Sequence, residues 1–220
     1  QLDLNKFHVG LGWDVREDRT SSYDFDLDVS AFMVTKDKKV PSDDFLVFYN
    51  SEKRVRPNDL TKIVNASEWS SNDKLRTESR PVSPDLSVIG SIDDEDGSTS
   101  DDGDDETMDI DLSKVSPEIE EIIICVSIYK YQERRQNFGQ VERAYVRLYK
   151  PGQGDGDTSS TLLKTIPSVL PWSSAACTVG TERGRSRHWA MVIVEAWKSL
   201  SQNTFRLWQS FWRRAATSIG

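Results

Sequence analysis

The chain has 220 residues, of which 36% are hydrophobic and 29% are charged, and its formal net charge is -8. No segment approaches the roughly 20 consecutive apolar residues that a transmembrane helix requires, so we expect a soluble protein. Only two cysteines are present, which argues against a disulfide-dense secreted scaffold and favours a reducing cytoplasm. The net acidity also disfavours nucleic acid as a partner.

The first fifty residues predict three strands separated by polar turns. These strands cover residues 7–13, 23–35 and 45–49. In the second strand, carboxylates occupy alternate positions and therefore share one face, opposite a face of apolar side chains. The carboxylates are those of Asp24, Asp26 and Asp28. Three like charges on one face repel each other unless a cation neutralises them.

The next segment has a different character. Residues 51–82 are rich in Ser, Asn, Lys, Arg and Glu, and their scattered apolar residues show no sustained period. Such composition is typical of a loop that cannot bury a face of its own. We therefore predict that residues 51–100 are largely an inserted or flexible acidic loop.

Acidic residues are concentrated in one part of the chain. Residues 93–111 contain eleven carboxylates and neither Lys nor Arg, so they contribute -11 to the net charge of -8 and the rest contributes +3. A dense run of carboxylates can hold a hard, oxygen-binding cation. The alternative is a solvated tether, which explains most charge runs and stays open for residues 93–96.

Regular patterning returns in the second half of the sequence. Residues 107–113 alternate between apolar and polar types, residues 122–129 form a continuous apolar run, and residues 144–149 read as a further strand. Strands joined by turns or short crossovers, with few helical patterns before residue 150, predict an all-β sandwich.

Four sequence blocks resemble the TerD family of tellurium-resistance and general-stress proteins. They are VGLGWD at residues 9–14, FDLDVSAF at 25–32, GDDE at 103–106 with IDLSKV at 110–115, and QNFGQV at 136–141 with AYVR at 144–147. The resemblance implies a calcium-binding β-sandwich in a cytoplasmic bacterial protein that acts in stress and tellurite resistance. It also implies no enzymatic activity and partners among other tellurium-resistance proteins, including a membrane-associated one.

Calcium is the expected metal, because it takes about 6 to 8 oxygen ligands that must come from several loops. The acidic motifs of the resemblance supply the candidates. The predicted ligands are Asp14, Asp24, Asp26, Asp28, Asp102, Asp104, Asp105 and Glu106. We predict a TerD-like sandwich domain in residues 1–150 with Ca2+ as its ligand.

The resemblance stops after Lys150, and residues 151–220 form an atypical tail. When each codon is read from the last base of one codon and the first two of the next, His188-Trp189 yields Leu and Trp189-Ala190 yields Gly. This shifted reading restores the ending that the family would carry. We therefore predict a one-base frameshift between about Lys164 and Pro171, which makes the tail out of frame and deprives the sandwich of its last strands.

A different function class remains open for the tail. Its Trp, Val, Leu and Phe residues, together with several Arg residues, can be arranged as an amphipathic helix that includes Val192, Val194 and Trp197. Such a helix would act as a membrane-surface or partner-binding adaptor. A hydrolase is a third reading, and it is disfavoured because the chain has only two histidines.

Overall fold

The computed structural model describes residues 5–14, 23–69, 71–97, 103–141 and 143–150, together with the backbone of three later strands. The described residues form thirteen strands and three short α-helices. The strands are β1 (Lys6–Gly12), β2 (Leu27–Thr35), β3 (Leu46–Val47), β4 (Arg54–Arg56), β5 (Asp59–Val64), β6 (Arg80–Pro81), β7 (Val88–Gly90), β8 (Glu106–Asp111), β9 (Ile119–Ile128), β10 (Tyr145–Tyr149), β11 (Leu162–Thr165), β12 (Ala175–Arg183) and β13 (Ser186–Val194). The helices are α1 (Ala66–Trp69), α2 (Asp73–Glu78) and α3 (Tyr131–Arg134).

Two five-stranded sheets face each other across the main core. The first has the order β11-β10-β1-β8-β7, and the second has the order β12-β13-β9-β2-β3. Alternate residues of β1 and β8, such as Val9 and Met108, point inward and pack with Leu27 and Val29 of β2. The predicted all-β sandwich is confirmed.

Strand β2 is buried on both faces. Its second face packs with Ile123 and Cys125 of β9, and Phe45 and Leu46 lie against this second core. Asp26 and Asp28 are therefore buried, at 6% and 4% exposure. The strand predicted at residues 23–35 begins at Leu27, so Asp24 and Asp26 precede it and only Asp28 of the three carboxylates lies on it.

Residues 51–82, predicted as an inserted or flexible loop, contain regular strands. Strands β4, β5 and β6 form a small antiparallel sheet with the order β5-β4-β6, here called the small sheet. Val55, Val82 and Ile89 form its core. The segment shows no period because each strand has only two to six residues and β5 is mostly exposed, so few apolar positions reveal a face.

Arg54 anchors the small sheet to the chain around it. Its Nε donates to Ser79 Oγ at 2.8 Å, and its two terminal nitrogens donate to the carbonyl oxygens of Tyr49 at 2.8 Å and Ser79 at 2.8 Å. The residue is only 6% exposed. A guanidinium suits this position because its donors have a fixed planar arrangement that an ammonium group cannot reproduce.

We expect Arg54→Lys to loosen the small sheet, because hydrogen bonds to buried carbonyl groups are lost. The local free energy of opening should fall by roughly 1 to 3 kcal/mol, the cost of buried polar groups left unpaired. Thermolysin digestion followed by mass spectrometry should show faster cleavage within residues 56–80. Arg56→Lys, at an exposed position of the same strand, is the matched control and should digest like the wild type.

The later strands extend both sheets, so the prediction that the sandwich lacks its last strands is wrong. Strand β11 pairs antiparallel with β10, β13 pairs parallel with β9, and β12 pairs antiparallel with β13. The predicted boundary at residue 150 therefore runs through both sheets. Val192 and Val194 lie in β13 and not in a helix, while residues 195–220, with the rest of the expected helix, lie outside the described residues.

Among the residues that the structure describes, no helix combines the length and the apolar character needed to cross a membrane.

Candidate metal centre

Three carboxylates converge at one point of the sandwich. Asp28, Asp93 and Glu106 each offer one oxygen, and these oxygens lie within 4.8 Å of one another. Calcium binds oxygen at 2.3 to 2.6 Å, so two ligand oxygens of one ion lie at most about 5 Å apart. The three residues, here called the carboxylate cluster, can therefore reach a single ion.

The strand pairing explains why the carboxylate cluster forms at this place. Along one edge of β2, β3 pairs only with Ala31 and Phe32. The Val29 amide lies beyond that pairing, and it donates to Glu106 Oε2 at 2.7 Å. Glu106 is the first residue of β8, so its side chain reaches from one sheet to the other and arrives beside Asp28.

Asp93 reaches the cluster from the connection between β7 and β8. Asp94 Oδ1 accepts hydrogen bonds from the amides of Asp96 at 3.2 Å and Gly97 at 3.1 Å, which bends this connection into a turn. Gly97 has a φ of 78°, and a side chain there would collide with the Trp13 indole. The turn thus depends on glycine for both its conformation and its close packing.

The electrostatic state of the cluster favours a bound cation. Burial raises the pKa of Glu106 and of Asp28 well above the usual range, and the charges of neighbouring carboxylates raise each further. Asp93 is exposed as a residue, but its carboxyl group is partly desolvated and forms a hydrogen bond with Glu106. The desolvation raises the pKa of Asp93. Without a cation, these groups must share protons to relieve their repulsion.

Asp26 lies beside the cluster and adds to its field. Burial raises its pKa to about 7, even though the Arg134 guanidinium opposes the shift. Arg134 Nη1 lies 3.4 Å from Asp26 Oδ2 and its guanidinium stands over the rings of Tyr23 and Tyr129. Asp26 is therefore an accessory carboxylate that already has a cationic partner.

Asp104 and Asp105, which the sequence places at the centre of the site, are directed elsewhere. Asp105 Oδ2 accepts a hydrogen bond from the Trp13 amide at 2.9 Å. Asp104 Oδ1 accepts from Arg147 Nε at 2.8 Å, and a side chain on Gly10 would collide with its carboxylate. Both residues precede β8, which begins at Glu106, and their contacts with Arg147 and Trp13 hold them away from Asp28 and Asp93.

The remaining predicted ligands are also apart from the carboxylate cluster. Asp14 forms an ion pair with Arg143. Asp24 is exposed, and its backbone carbonyl accepts from Gln136 Nε2 at 3.0 Å. Asp102 lies outside the described residues. Of the eight predicted ligands, the carboxylate cluster contains Asp28 and Glu106. It also contains Asp93, which was not among them. The run of acidic residues before Gly97 is the sequence signal that indicates Asp93.

The metal-free protein should lose stability as pH rises from about 4 to about 7. The raised carboxyl pKa values mean that the folded state binds more protons than the unfolded state over this interval. The lowered pKa values of Asp109 and Asp111 act only below about pH 4, where those groups lose their stabilising charge. Urea unfolding of metal-stripped protein should give a free energy at least about 1 kcal/mol larger near pH 5 than near pH 7.5. Equal or larger stability near pH 7.5 would contradict the placement of these carboxylates.

The sequence pattern of the TerD domain matches residues 1–162 of the chain. The chain belongs to the TerD domain family. The tellurium resistance protein TerD of Serratia marcescens is 39% identical over 140 residues, which cover 64% of this chain and 56% of that protein. General stress protein 16U of Bacillus subtilis is 31% identical over 145 residues, covering 66% and 58% of the two chains. The resemblance to tellurium-resistance and stress proteins is confirmed, although the chain spans little more than half the length of these relatives.

A solved structure supports the same architecture. The protein SAV2460, described as of unknown function, is 18% identical to this chain. It matches 84% of this chain and 85% of its own length with a TM-score of 0.53. At this identity, the likeness bears on the fold alone.

Proposed function

We propose that this protein is a cytoplasmic, non-enzymatic calcium-binding member of the TerD domain family that acts in the stress and tellurite response. The observation that supports calcium is the convergence of Asp28, Asp93 and Glu106 within 4.8 Å. The group contains only carboxylates, which are the donors that hard divalent cations prefer, whereas zinc favours His and Cys. Residues that belong to this cluster would hold the ion, and the Val29 amide would orient Glu106.

Calcium would serve here as a structural link that neutralises charge. Asp28 belongs to one sheet and Glu106 to the other, while Asp93 belongs to the β7–β8 connection. An ion shared by these three residues would join both sheets and fix that connection. We propose that a surface ordered in this way is recognised by other tellurium-resistance proteins, including a membrane-associated one.

Survival of bacteria on tellurite tests the proposed function. A strain that lacks its own TerD protein should regain tellurite resistance with the wild-type chain but not with Glu106→Gln, which removes the charge while keeping the shape of the side chain. Glu118→Gln, at an exposed position, is the matched control and should restore resistance. Full restoration by Glu106→Gln at equal protein level would refute a role of the carboxylate cluster in resistance.

A further inference from the structure

An open cavity of about 630 Å3 lies directly beside the carboxylate cluster. Asp28 and Tyr129 of the sandwich line one side, and Arg54, Trp69 and Thr77 of the small-sheet segment line the other. Cavities of roughly 300 to 1,000 Å3 are the size of small-molecule sites. The segment between residues 51 and 82 therefore forms one wall of an open cavity that is large enough for a small ligand.

The cavity is the side from which a further ligand can reach an ion in the cluster. Asp28 and Asp93 line the cavity, whereas Glu106 is 4% exposed and is absent from its wall. Three carboxylates supply three to six oxygens, depending on whether each binds through one oxygen or two. Calcium takes about 6 to 8, so when each carboxylate binds through the one oxygen that it offers, about three or more positions remain for water or for the oxygens of a ligand.

The charge around the cavity excludes one broad class of ligand. The cluster, Asp26 and Glu95 contribute five carboxylates, while Arg54 and Arg134 contribute two guanidinium groups. With one divalent cation, the site keeps one net negative charge, which disfavours an anion. Arg54 is committed to carbonyl groups and Ser79, and Arg134 is paired with Asp26, so both guanidiniums have partners within the protein.

The side chains that line the cavity are suited to hydroxyl groups. Carboxylates accept strong hydrogen bonds from hydroxyl donors, and the amide of Asn50 and the hydroxyl of Thr77 can both donate and accept. Tyr49 and Trp69 add aromatic surface to the same walls. An apolar ring face combined with several polar groups is the pattern of sites that orient a polar ring-shaped ligand.

We propose that this cavity binds a neutral, hydroxyl-rich small molecule, such as a sugar ring, whose adjacent hydroxyl oxygens complete the coordination of the cation. The proposal rests on the calcium site described above. The neighbouring carboxylates accept hydrogen bonds from the hydroxyl groups of the ligand, and Trp69 packs against the ring of the ligand. A free sugar and the ribose of a nucleoside share this chemistry and are distinguished by the test.

Terbium luminescence tests the metal site and the cavity separately. Tb3+ replaces Ca2+, and its emission is sensitised by nearby Tyr and Trp side chains. Comparing its lifetime in H2O and in D2O counts the water molecules on the ion. We expect sensitised emission, at least about two bound waters, and loss of about two waters when methyl riboside is added. The 2-deoxy riboside lacks the adjacent hydroxyl pair and should leave the water count unchanged.

Uridine and 2′-deoxyuridine extend the same comparison to nucleosides. A larger effect of uridine than of methyl riboside would assign the ligand to the nucleoside class, whereas equal effects would assign it to sugars. Trp69→Ala should weaken the riboside effect at least about fivefold while Tb3+ binding persists. Asn50→Ala, at an exposed position, is a second variant with the same expected direction in case the first disturbs the small sheet.

Three results would overturn the inference. Sensitised emission with a water count that neither riboside nor uridine changes would refute the cavity ligand and leave the calcium site standing. Displacement of Tb3+ by spermidine, together with no response to the sugars, would show that the cavity takes an organic cation. Absence of sensitised emission would refute the metal site and, with it, the inference that depends on it.

Discussion

Calcium should raise the melting temperature of the metal-stripped protein by about 5 to 10 °C. An ion that binds only the folded state stabilises it by about 2.7 kcal/mol when its concentration is 100 times the dissociation constant. In a protein of about 150 to 250 residues, each kcal/mol shifts the melting temperature by about 2 to 4 °C. The physical source is the relief of repulsion among Asp28, Asp93 and Glu106, whose pKa values are all raised. Differential scanning calorimetry with and without about 1 mM calcium measures this effect.

Glu106→Gln separates stabilisation at the cluster from general effects of salt. The variant should melt at a higher temperature than the metal-stripped wild type, because a neutral amide replaces one of the crowded carboxyl groups. Calcium should then shift its melting temperature by less than about 2 °C. Magnesium at the same concentration controls for ionic strength. A calcium shift of equal size in wild type and variant would show that the ion binds outside the carboxylate cluster.

Restoring the reading frame after about residue 164 should give a large gain in stability. The restored sequence would supply the Leu, Tyr and Trp residues of the family ending, and alternating residues of these types pack well on a sheet face. Strand β13 of the unrestored tail pairs with β9, and the restored ending would replace it at that position. We expect the restored chain to melt cooperatively and at a higher temperature than the given chain, as measured by calorimetry.

The state of association provides the second measurement of this prediction. A sheet whose outer strands pack poorly exposes apolar surface and strand edges, which favours association. Size-exclusion chromatography with light scattering should show a discrete species for the restored chain and larger, heterogeneous species for the given chain. A given chain that melts higher and elutes as the more uniform species would reject the frameshift and make the tail a functional element.

Periodicity is sufficient to predict much of the sandwich. The alternation of residues 107–113 and the apolar run at residues 122–129 correspond to β8 and to the buried centre of β9. The small sheet could not be recognised, because its strands are short and one of them is mostly exposed. Arg54 also links it to the Ser79 carbonyl, 25 residues away in the sequence, and no local pattern reveals that contact.

The candidate site could be predicted in part, and the omissions have a geometric cause. Asp28 and Glu106 were identified because they lie in two separated acidic motifs. Asp93 could not be identified in this way, because its position beside Asp28 and Glu106 depends on the turn formed by Asp94 and Gly97. The grouping of Asp104 and Asp105 with Glu106 fails because both residues precede β8 and their carboxylates bind Arg147 and the Trp13 amide. These partners are distant in sequence, so no local pattern indicates them.

The Asp104 carboxylate provides a sharp test because it belongs to the same acidic motif as Glu106 but contacts Arg147 on the other side of the strand. Burial raises the pKa of the Tyr145 phenol to about 12, and the negative charge of Asp104 is the second cause of this shift. Asp104→Asn should therefore lower that phenol pKa in an ultraviolet titration. It should not change the carboxylate cluster.

Calorimetric titration of calcium into Asp28→Asn and Asp104→Asn compares the same substitution inside the carboxylate cluster and outside it. The wild type should bind with a dissociation constant of roughly 10⁻⁷ to 10⁻⁴ M. Asp28→Asn should weaken binding by at least about 10- to 100-fold, the loss typical even of groups that only support a metal ligand. Asp104→Asn should bind within about twofold of wild type, as expected of an independent position. Equal weakening in both variants, or normal binding by Asp28→Asn, would contradict the assignment of the cation site to Asp28, Asp93 and Glu106.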